Sequence, residues 1–395
     1  MKRSATTKKQ SKKTIPLPFS VYFWTVTFLA MAGLAVSAYL TVSHYRVYTD
    51  ISYSSFCAIS KAINCDTVSQ SSYSIFLGVP VPIWGIIGYT FFLLFLSVAG
   101  SQAADKKRIW PLLLLVSLAF SIYSIILASI SAFYIHSYCI MCIVSFGINF
   151  LLLYYVWLIR KRFNTPGILE GLKRDIRFLG NKSVLSTIVF GPFLIGVVLV
   201  WAFFPNYWHF EPPKLQAAAR TGITEEGYPW IGAEQPELVI TEFTDYQCFQ
   251  CKKMHFFLRQ LIDKYQDKIR LIHRHFPMDH KYNPIVKERF HVGSGIMALI
   301  AEYAKTEDKF WQMSDILFKM AGHVDYINIK ELAEQTGLDY RKLAYATKSR
   351  VTRYKVKHDI AVGIKLGITG TPGYLIGGKV YLGQIPPQII SGVLD

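Results

Sequence analysis

The chain has 395 residues, 52% of them hydrophobic and only 17% charged, with a formal net charge of +17 at pH 7. That balance excludes a large soluble enzyme and suits a chain that is part membrane and part soluble. The basic excess sits beside apolar runs, at Lys2, Arg3, Lys8, Lys9, Lys12 and Lys13 and again at Arg160, Lys161, Arg162, Lys173, Arg174, Arg177 and Lys182. No nucleic-acid-binding module accompanies it, so the partner expected is a lipid bilayer and not a nucleic acid.

In chain order, a basic tail (1–19) leads into an apolar run at 19–42, and a second run follows at 82–99. Residues 110–159 carry no charge at all. As one helix they would be ~75 Å long against a hydrocarbon core of ~30 Å, so they must fold back, and the polar cluster His136, Ser137 and Tyr138 marks the turn. The last run, 184–204, ends at Pro205. The first run is too long for a signal peptide and further spans follow it, so it reads as an uncleaved helix. The tail, the turn with Lys106, Lys107 and Arg108, and a loop at 161–183 are rich in Lys and Arg. The loop 43–79 has only Arg46 and Lys61. The positive-inside bias then places the amino terminus in the cytoplasm and everything after Phe204 on the outer side. The location expected is a bacterial inner (plasma) membrane, crossed several times, with a periplasmic carboxyl-terminal domain.

Six cysteines form three close pairs: Cys57 and Cys65, Cys139 and Cys142, Cys248 and Cys251. Six in a chain this long do not make a disulfide scaffold, and three separate pairs read as three redox or metal stations. All fall on the expected outer side, where disulfides persist. A thiolate zinc site is disfavoured, because eight positions separate the loop cysteines and no His pair accompanies them; no metal is expected. A lone membrane cysteine is often only a small apolar packing residue, a reading that fits two pairs on one face poorly. His44, His136 and the other histidines read as surface or packing residues.

Cys57, Cys65, Ser71, the stretch Gly-Val-Pro-Val-Pro-Ile-Trp-Gly at 78–85 and Cys139-Ile-Met-Cys142 together resemble a bacterial vitamin K epoxide reductase homologue over 20–160. The resemblance implies a four-helix bundle around a quinone (ubiquinone or menaquinone). On it, Cys142 faces the ring, Cys139 exchanges with Cys65, Cys57 receives electrons from a partner, and Ser71 hydrogen-bonds a quinone oxygen. Phe146 stands where vertebrate members have tyrosine; it can pack on a ring but not donate a hydrogen bond, which leaves quinone reduction as the implied chemistry. Tyr89 and Trp84 are further candidates to line the pocket.

From about Trp230 the pattern changes. Residues 238–243 read as a buried strand, Cys248-Phe-Gln-Cys251 follows, and 252–266 reads as an amphipathic helix, which is the thioredoxin-like order. A cysteine at a helix start meets unpaired N–H groups and the positive end of the dipole, which favour its thiolate. Cys248 is then the attacking and leaving sulfur and Cys251 the resolving one. A second strand at 269–276, helical periodicity over 284–364, Thr371-Pro372 and a Gly377-Gly378 hairpin complete a resemblance to a DsbA-like thioredoxin domain with a helical insertion over 230–395. That resemblance implies a cis proline at Pro372 beside the disulfide, with Thr371 and Pro372 pairing to bound peptide. It also implies a buried acid at Glu242, a proton acceptor for Cys251 or, more plainly, a partly buried strand carboxylate paired with Lys.

The expected architecture is therefore a membrane all-α four-helix bundle plus a fifth transmembrane helix, a linker (205–229) and a soluble α/β thioredoxin-like domain. Tethering makes the meeting of the two redox parts intramolecular. The function expected is quinone-dependent oxidation of thiols in exported proteins. A disulfide reductase or isomerase would need an electron source on the cytoplasmic side, where no cysteine lies. A membrane-tethered peptide-binding chaperone would keep its activity without Cys248.

Overall fold

The computed structural model describes residues 17–59, 62–101, 104–163, 165–181, 183–210, 220–265, 267–320 and 327–394. Most of the basic tail (1–16), Lys61, Lys182 and the part of the linker at 211–219 lie outside the described residues. The chain divides into two compact units. The first takes the described residues up to Pro205 apart from 45–54 and 69–72; the second takes those two segments and everything from Asn206.

The first unit is helical. Its elements are α1 (Phe19–Thr49), α2 (Cys65–Gln70), a short hairpin β1 (Ile75–Phe76) and β2 (Val79–Pro80), α3 (Val81–Gly100), α4 (Trp110–Ile130) continued by one wide turn to Ile135, α5 (Ile140–Arg162), α6 (Ile168–Asn181) and α7 (Ser183–Phe203). Five of these helices are long and apolar enough to cross a membrane. The run 110–159 does fold back, with His136 in the left-handed conformation at the turn. Helix α1 continues past the apolar run because its next polar residues are accommodated inside: Ser43 and His44 are buried, and His44 Nε2 lies 3.2 Å from Ser74 Oγ.

The bundle core joins Val26 of α1, Phe92 and Leu96 of α3, Trp110 and Leu113 of α4, and Leu152, Val156 and Ile159 of α5. On α7, Val184, Ile188, Leu194, Ile195, Val198 and Leu199 are all exposed, an apolar surface whose natural solvent is lipid. The stretch 161–183 is not a loop. Gly171, Asp175 and Phe178, at helical spacing, make the buried face of α6 while Lys173, Arg174 and Arg177 point outward. Asp175 accepts the Ile109 N–H at 2.9 Å, so a buried carboxylate ties α6 to the start of α4.

The second unit is α/β. Its elements are β3 (Thr221–Ile223), β4 (Pro229–Gly232), β5 (Leu238–Thr244), α8 (Phe249–Lys264), β6 (Ile269–His275), α9 (Ser294–Lys305), α10 (Phe310–Lys319), α11 (Ile329–Thr336), α12 (Tyr340–Ala346), α13 (Arg350–Lys365), β7 (Gly373–Ile376), β8 (Lys379–Leu382) and α14 (Pro387–Leu394). The strands form one sheet in the order β3-β4-β6-β5-β7-β8, with β5 and β6 parallel and the other pairs antiparallel. The linker expected over 205–229 is therefore shorter. Residues 221–223 and 229 already belong to the sheet, held by pairing to β4 and by β4's pairing to β6.

Strand β5 is covered on both faces. Ile240 packs with Cys251 and Tyr374 in one cluster, whereas Phe243 packs with Phe276, Val356 and Ile360 in the other. This burial on both sides explains why Ile240 and Phe243, on opposite faces, are both apolar, while Val239 near the strand's start stays exposed.

Candidate active site

In the helical unit, Cys57 and Cys65 are joined in a disulfide with 5.6 Å between their Cα atoms, and Cys139 and Cys142 are thiols. Cys57, Cys65 and Cys139 form one buried cluster, with Leu40, Val68, Ile140, Met141 and Cys142 packed against it. Backbone pairing sets this proximity. Asn64 N–H donates to Tyr138 O at 2.9 Å and Tyr138 N–H to Ala62 O at 2.8 Å, so the chain entering Cys65 is pinned to the chain entering Cys139. Asn64 Oδ1 also accepts the Asp66 and Thr67 N–H groups at 2.9 and 3.1 Å, capping the turn that Cys65 opens. Cys139 itself caps α5: its sulfur accepts the Cys142 N–H at 3.3 Å.

Of the residues named with this pair, Ser71 is half-buried in the bend after α2, and Phe146 is half-buried on α5, four positions beyond Cys142 and so on the same helix face. The Trp84 indole N–H donates to Phe76 O at 2.9 Å. Tyr89 is buried, its hydroxyl 2.7 Å from Asn149 Oδ1 and 3.3 Å from Ser145 Oγ.

Tyr89 thus belongs to a polar seam that sequence reasoning missed. Asn149 Nδ2–H donates to Ser124 Oγ at 2.8 Å, and Ser121 Oγ–H donates to Asn149 O at 3.3 Å, linking α3, α4 and α5 through the middle of the core. The available signal was Ser117, Ser121 and Ser124, spaced along one face of an otherwise apolar helix.

In the α/β unit, Cys248 and Cys251 are thiols at the start of α8. Cys248 caps the helix, its sulfur accepting the Cys251 N–H at 3.4 Å, and it lies 3.5 Å from Thr371 O. The Thr371–Pro372 bond is cis. The Cys251 thiol, donating to its neighbour, is the largest influence on Cys248. With smaller help from the charge of His291, it overcomes burial and brings the Cys248 pKa down to about 7. Cys251, sealed in the core, is pushed the other way by burial and by the adjacent Cys248.

Asp245, three residues before Cys248, organises the approach to this pair. It accepts the Gln247 N–H at 2.6 Å, the Met278 N–H at 2.5 Å and the Ser294 hydroxyl at 2.9 Å, and His291 Nδ1 is 3.1 Å away. Glu242 is fully buried on β5 and pairs with His273, not with a lysine, its Oε1 lying 2.8 Å from His273 Nδ1. A carboxylate this deep needs a polar partner on its own sheet face, and the neighbouring strand offers a histidine there.

Two cysteine pairs meeting in an apolar helical bundle, and a capped C-x-x-C close to a cis proline in an α/β domain, are arrangements suited to exchange between thiols and disulfides. The vitamin K epoxide reductase family model matches residues 24–157 and the thioredoxin family model matches residues 224–395. The chain thus carries a vitamin K epoxide reductase family-model domain at 24–157 and a thioredoxin-like domain at 224–395.

Among solved structures, the chain is similar to BdbD from Bacillus subtilis in its oxidised form (22% identity, 45% of this chain and 96% of that one, TM-score 0.36). It is also similar to a thioredoxin-like oxidoreductase from Silicibacter pomeroyi DSS-3 (23%, 42% and 90%, TM-score 0.35). Among curated relatives, it matches the Na(+)/H(+) antiporter NhaA of Herminiimonas arsenicoxydans at 22% identity over 58% of this chain and 35% of that protein. It matches NhaA 1 of Salinispora arenicola at 22% over 46% and 28%. The chain thus spans about a third of the length of the curated relatives it matches.

Proposed function

We propose that the chain oxidises thiols of exported proteins and delivers the electrons to a membrane quinone. In this reading a client dithiol reduces the Cys248–Cys251 disulfide, the Cys57–Cys65 disulfide reoxidises it, and the electrons pass to Cys139 and Cys142. Every exchange among sulfurs is attack of a thiolate on a disulfide. The observation that carries the proposal is the buried cluster in which the Cys57–Cys65 disulfide packs directly on Cys139. Such packing gives exchange between the loop pair and the C-x-x-C pair the short reach it needs.

The donor set of the bundle fits a quinone. Cys142 is half-buried and Phe146 lies on its face of α5, so a thiol and an aromatic ring border the same apolar surface. Cys142 and Phe146 would border the quinone, which when bound supplies a two-electron acceptor. The Lys- and Arg-rich segments would face the cytoplasm, and the thioredoxin domain the opposite, periplasmic side of a bacterial inner membrane.

The test is oxidation of a reduced model peptide by the purified full chain with a short-chain quinone. Turnover is expected with the native protein and lost in Cys142→Ser. A chain carrying Cys65→Ser and Cys251→Ser is expected to trap a Cys57–Cys248 mixed disulfide. Turnover that ignores the quinone, or a trap that never forms under oxidising conditions, refutes the relay.

A further inference from the structure

A buried polar chain in the thioredoxin domain has no place in the exchange of sulfurs alone. Glu242 and Tyr374 are paired in register on adjacent strands. The Tyr374 hydroxyl is buried without a hydrogen-bond partner among the described residues, and Tyr374 and Ile240 belong to the same core cluster as Cys248 and Cys251, so Glu242, two positions from Ile240, lies on the sheet face that the cysteines pack against. On the other side of Glu242, His273 Nδ1 is 2.8 Å away. His273 Nε2 is 3.3 Å from His275 Nδ1, and His275 Nε2 is 3.7 Å from Glu302 Oε2 on α9. Glu302, in turn, meets Lys305 at 2.6 Å and Lys355 at 3.4 Å, and the Lys355 side chain is 47% exposed. Glu242, His273, His275 and Glu302 are all at most 4% exposed. The chain therefore starts on the sheet face that the cysteines pack against, steps from β5 to β6 along that face and ends at the part-exposed Lys355 on α13.

We propose that His273 and His275, with Glu302 at their outer end, form a proton relay between Glu242 and the rim at Lys355, serving the resolving sulfur Cys251. The proposal rests on the reading that the Cys248–Cys251 pair cycles between dithiol and disulfide.

Oxidation of the pair shows why a relay is needed. The Cys248 thiolate attacks an acceptor disulfide, one acceptor sulfur leaves as a thiolate, and a mixed disulfide remains on Cys248. Cys251 then gives its S–H proton to the Glu242 carboxylate and attacks the Cys248 sulfur. The Cys248–Cys251 bond forms, and the second acceptor sulfur leaves as a thiolate. Cys251 is sealed from water, so its proton has to leave through the protein. Glu242 passes it to His273 Nδ1, His273 releases its Nε2 proton to His275 Nδ1, and His275 releases its Nε2 proton toward the Glu302 carboxylate, which would pass it to solvent at Lys355. When a client thiol reduces the pair, Cys251 leaves as a thiolate and the same path runs inward. Alternate half-cycles therefore restore the ring tautomers, and neither imidazole has to flip.

The surroundings suit a neutral carrier. Burial lowers the pKa of His275, so the ring is uncharged at rest and free to take a proton. Burial pushes Glu302 up, but its bond to His275 and the charge of Lys305 outweigh this and hold it at about 2, so its negative charge stabilises the passing imidazolium. From the other elements, the Asp359 carboxylate accepts the His275 N–H at 3.0 Å and pairs with Arg274, while the neutral Tyr246 hydroxyl lies 3.4 Å from His273 Nε2.

The experiment uses the reduced full chain in detergent with oxidised glutathione as the acceptor. Reactions are quenched in acid and alkylated, and the Cys248–Cys251 peptide is followed by mass. Formation of the glutathione adduct reports the first attack, and its conversion to the internal disulfide reports resolution. In His273→Gln and His275→Gln, which keep hydrogen-bonding capacity but cannot carry a proton through a ring, resolution is expected to slow about 10²-fold, the lower end for positioned acid–base groups. The adduct on Cys248 should accumulate, the first attack should keep its rate, and resolution should recover as pH rises. Glu302→Gln is expected to slow the same step less. Unchanged resolution overturns the relay, and so does equal slowing of both steps, which is the mark of a damaged fold. Glutathione replaces the loop disulfide here, so a failure of quinone-linked turnover with normal glutathione kinetics would sink the function proposed above and leave the relay standing.

Discussion

Replacing Cys251 tests what makes Cys248 reactive. The Cys251 thiol is the largest influence bringing the Cys248 pKa from 9.0 to about 7. At pH 7 roughly half of Cys248 is then thiolate, against roughly one part in a hundred for an ordinary thiol of the starting pKa. Nucleophilicity falls with pKa, with a Brønsted slope of about 0.4–0.5, so a roughly 50-fold gain in thiolate shrinks to about six-fold in rate. The assay is the pH dependence of iodoacetamide labelling of the reduced chain, read at the Cys248 peptide. The native protein is expected to titrate near pH 7. Cys251→Ser, whose hydroxyl still donates, is expected to titrate close to it, and Cys251→Ala to move up toward the ordinary thiol range. An Ala variant that titrates where the native chain does would refute the reasoning and leave the helix start as the cause.

The same shift sets a direction for the redox balance. A thiol whose folded pKa is depressed stabilises the reduced fold above its unfolded pKa, and that stabilisation is lost as pH falls through the folded pKa. For Cys248 it amounts to roughly half a kcal/mol at pH 7 and roughly 3 kcal/mol above pH 9. Equilibration with glutathione should therefore find this pair a progressively stronger oxidant between those limits, beyond the change in glutathione itself.

Three further outcomes test the packing. Asn149→Leu removes the partner of both Tyr89 and Ser124, and detergent unfolding should show a loss of about 1–2 kcal/mol. Arg274→Met leaves the Asp359 carboxylate buried without its guanidinium, and a loss of about 3–5 kcal/mol is expected in thermal or denaturant unfolding, with much of it recovered by adding Asp359→Leu. Gly363→Ala places a Cβ 2.6 Å from the Phe276 ring and 3.2 Å from that of Phe243. The strain should cost about 1–3 kcal/mol, and Phe276→Leu in the same chain should relieve part of it.

The parts of the fold legible in sequence are those fixed by local chemistry. Strand β5 carries the apolar residues Ile240 and Phe243 on opposite faces because a core cluster covers each, and the hairpin before β8 turns on Gly377 and Gly378, both at positive φ. The parts missed depend on distant partners. Thr221–Ile223 is too short to announce itself and is a strand only because β4 lies beside it. The charges of α6 resemble a loop until Asp175 finds the Ile109 amide. Ser117, Ser121 and Ser124 each donate to a carbonyl in their own helix, so nothing local distinguishes them from inert serines, and it is Asn149 and Tyr89 that carry the network across helices. His273 and His275 read as packing residues because their partners, Glu242 and Glu302, are 31 and 27 positions away in sequence.

The two C-x-x-C pairs use one local device in two environments. Cys139 and Cys248 are both helix caps, and each accepts the amide of its partner cysteine three positions on. On the proposed relay, the first sulfur of each pair is the one that meets an incoming disulfide. The second sulfurs differ: Cys251 is fully buried, whereas Cys142 is only part-buried on the bundle. On the proposed relay this difference is functional. A sulfur that can reach only its own partner has to resolve, and has to shed its proton through the protein, which is the task assigned to Glu242 and the two histidines. A sulfur open to the apolar periphery can hand electrons to a lipid-soluble acceptor. Sealing Cys142 with a bulky neighbour, as in Phe146→Trp, should therefore slow quinone-linked turnover while leaving the glutathione reactions of Cys248 and Cys251 unchanged. Slowing of both would show that the two pairs do not divide the work in this way.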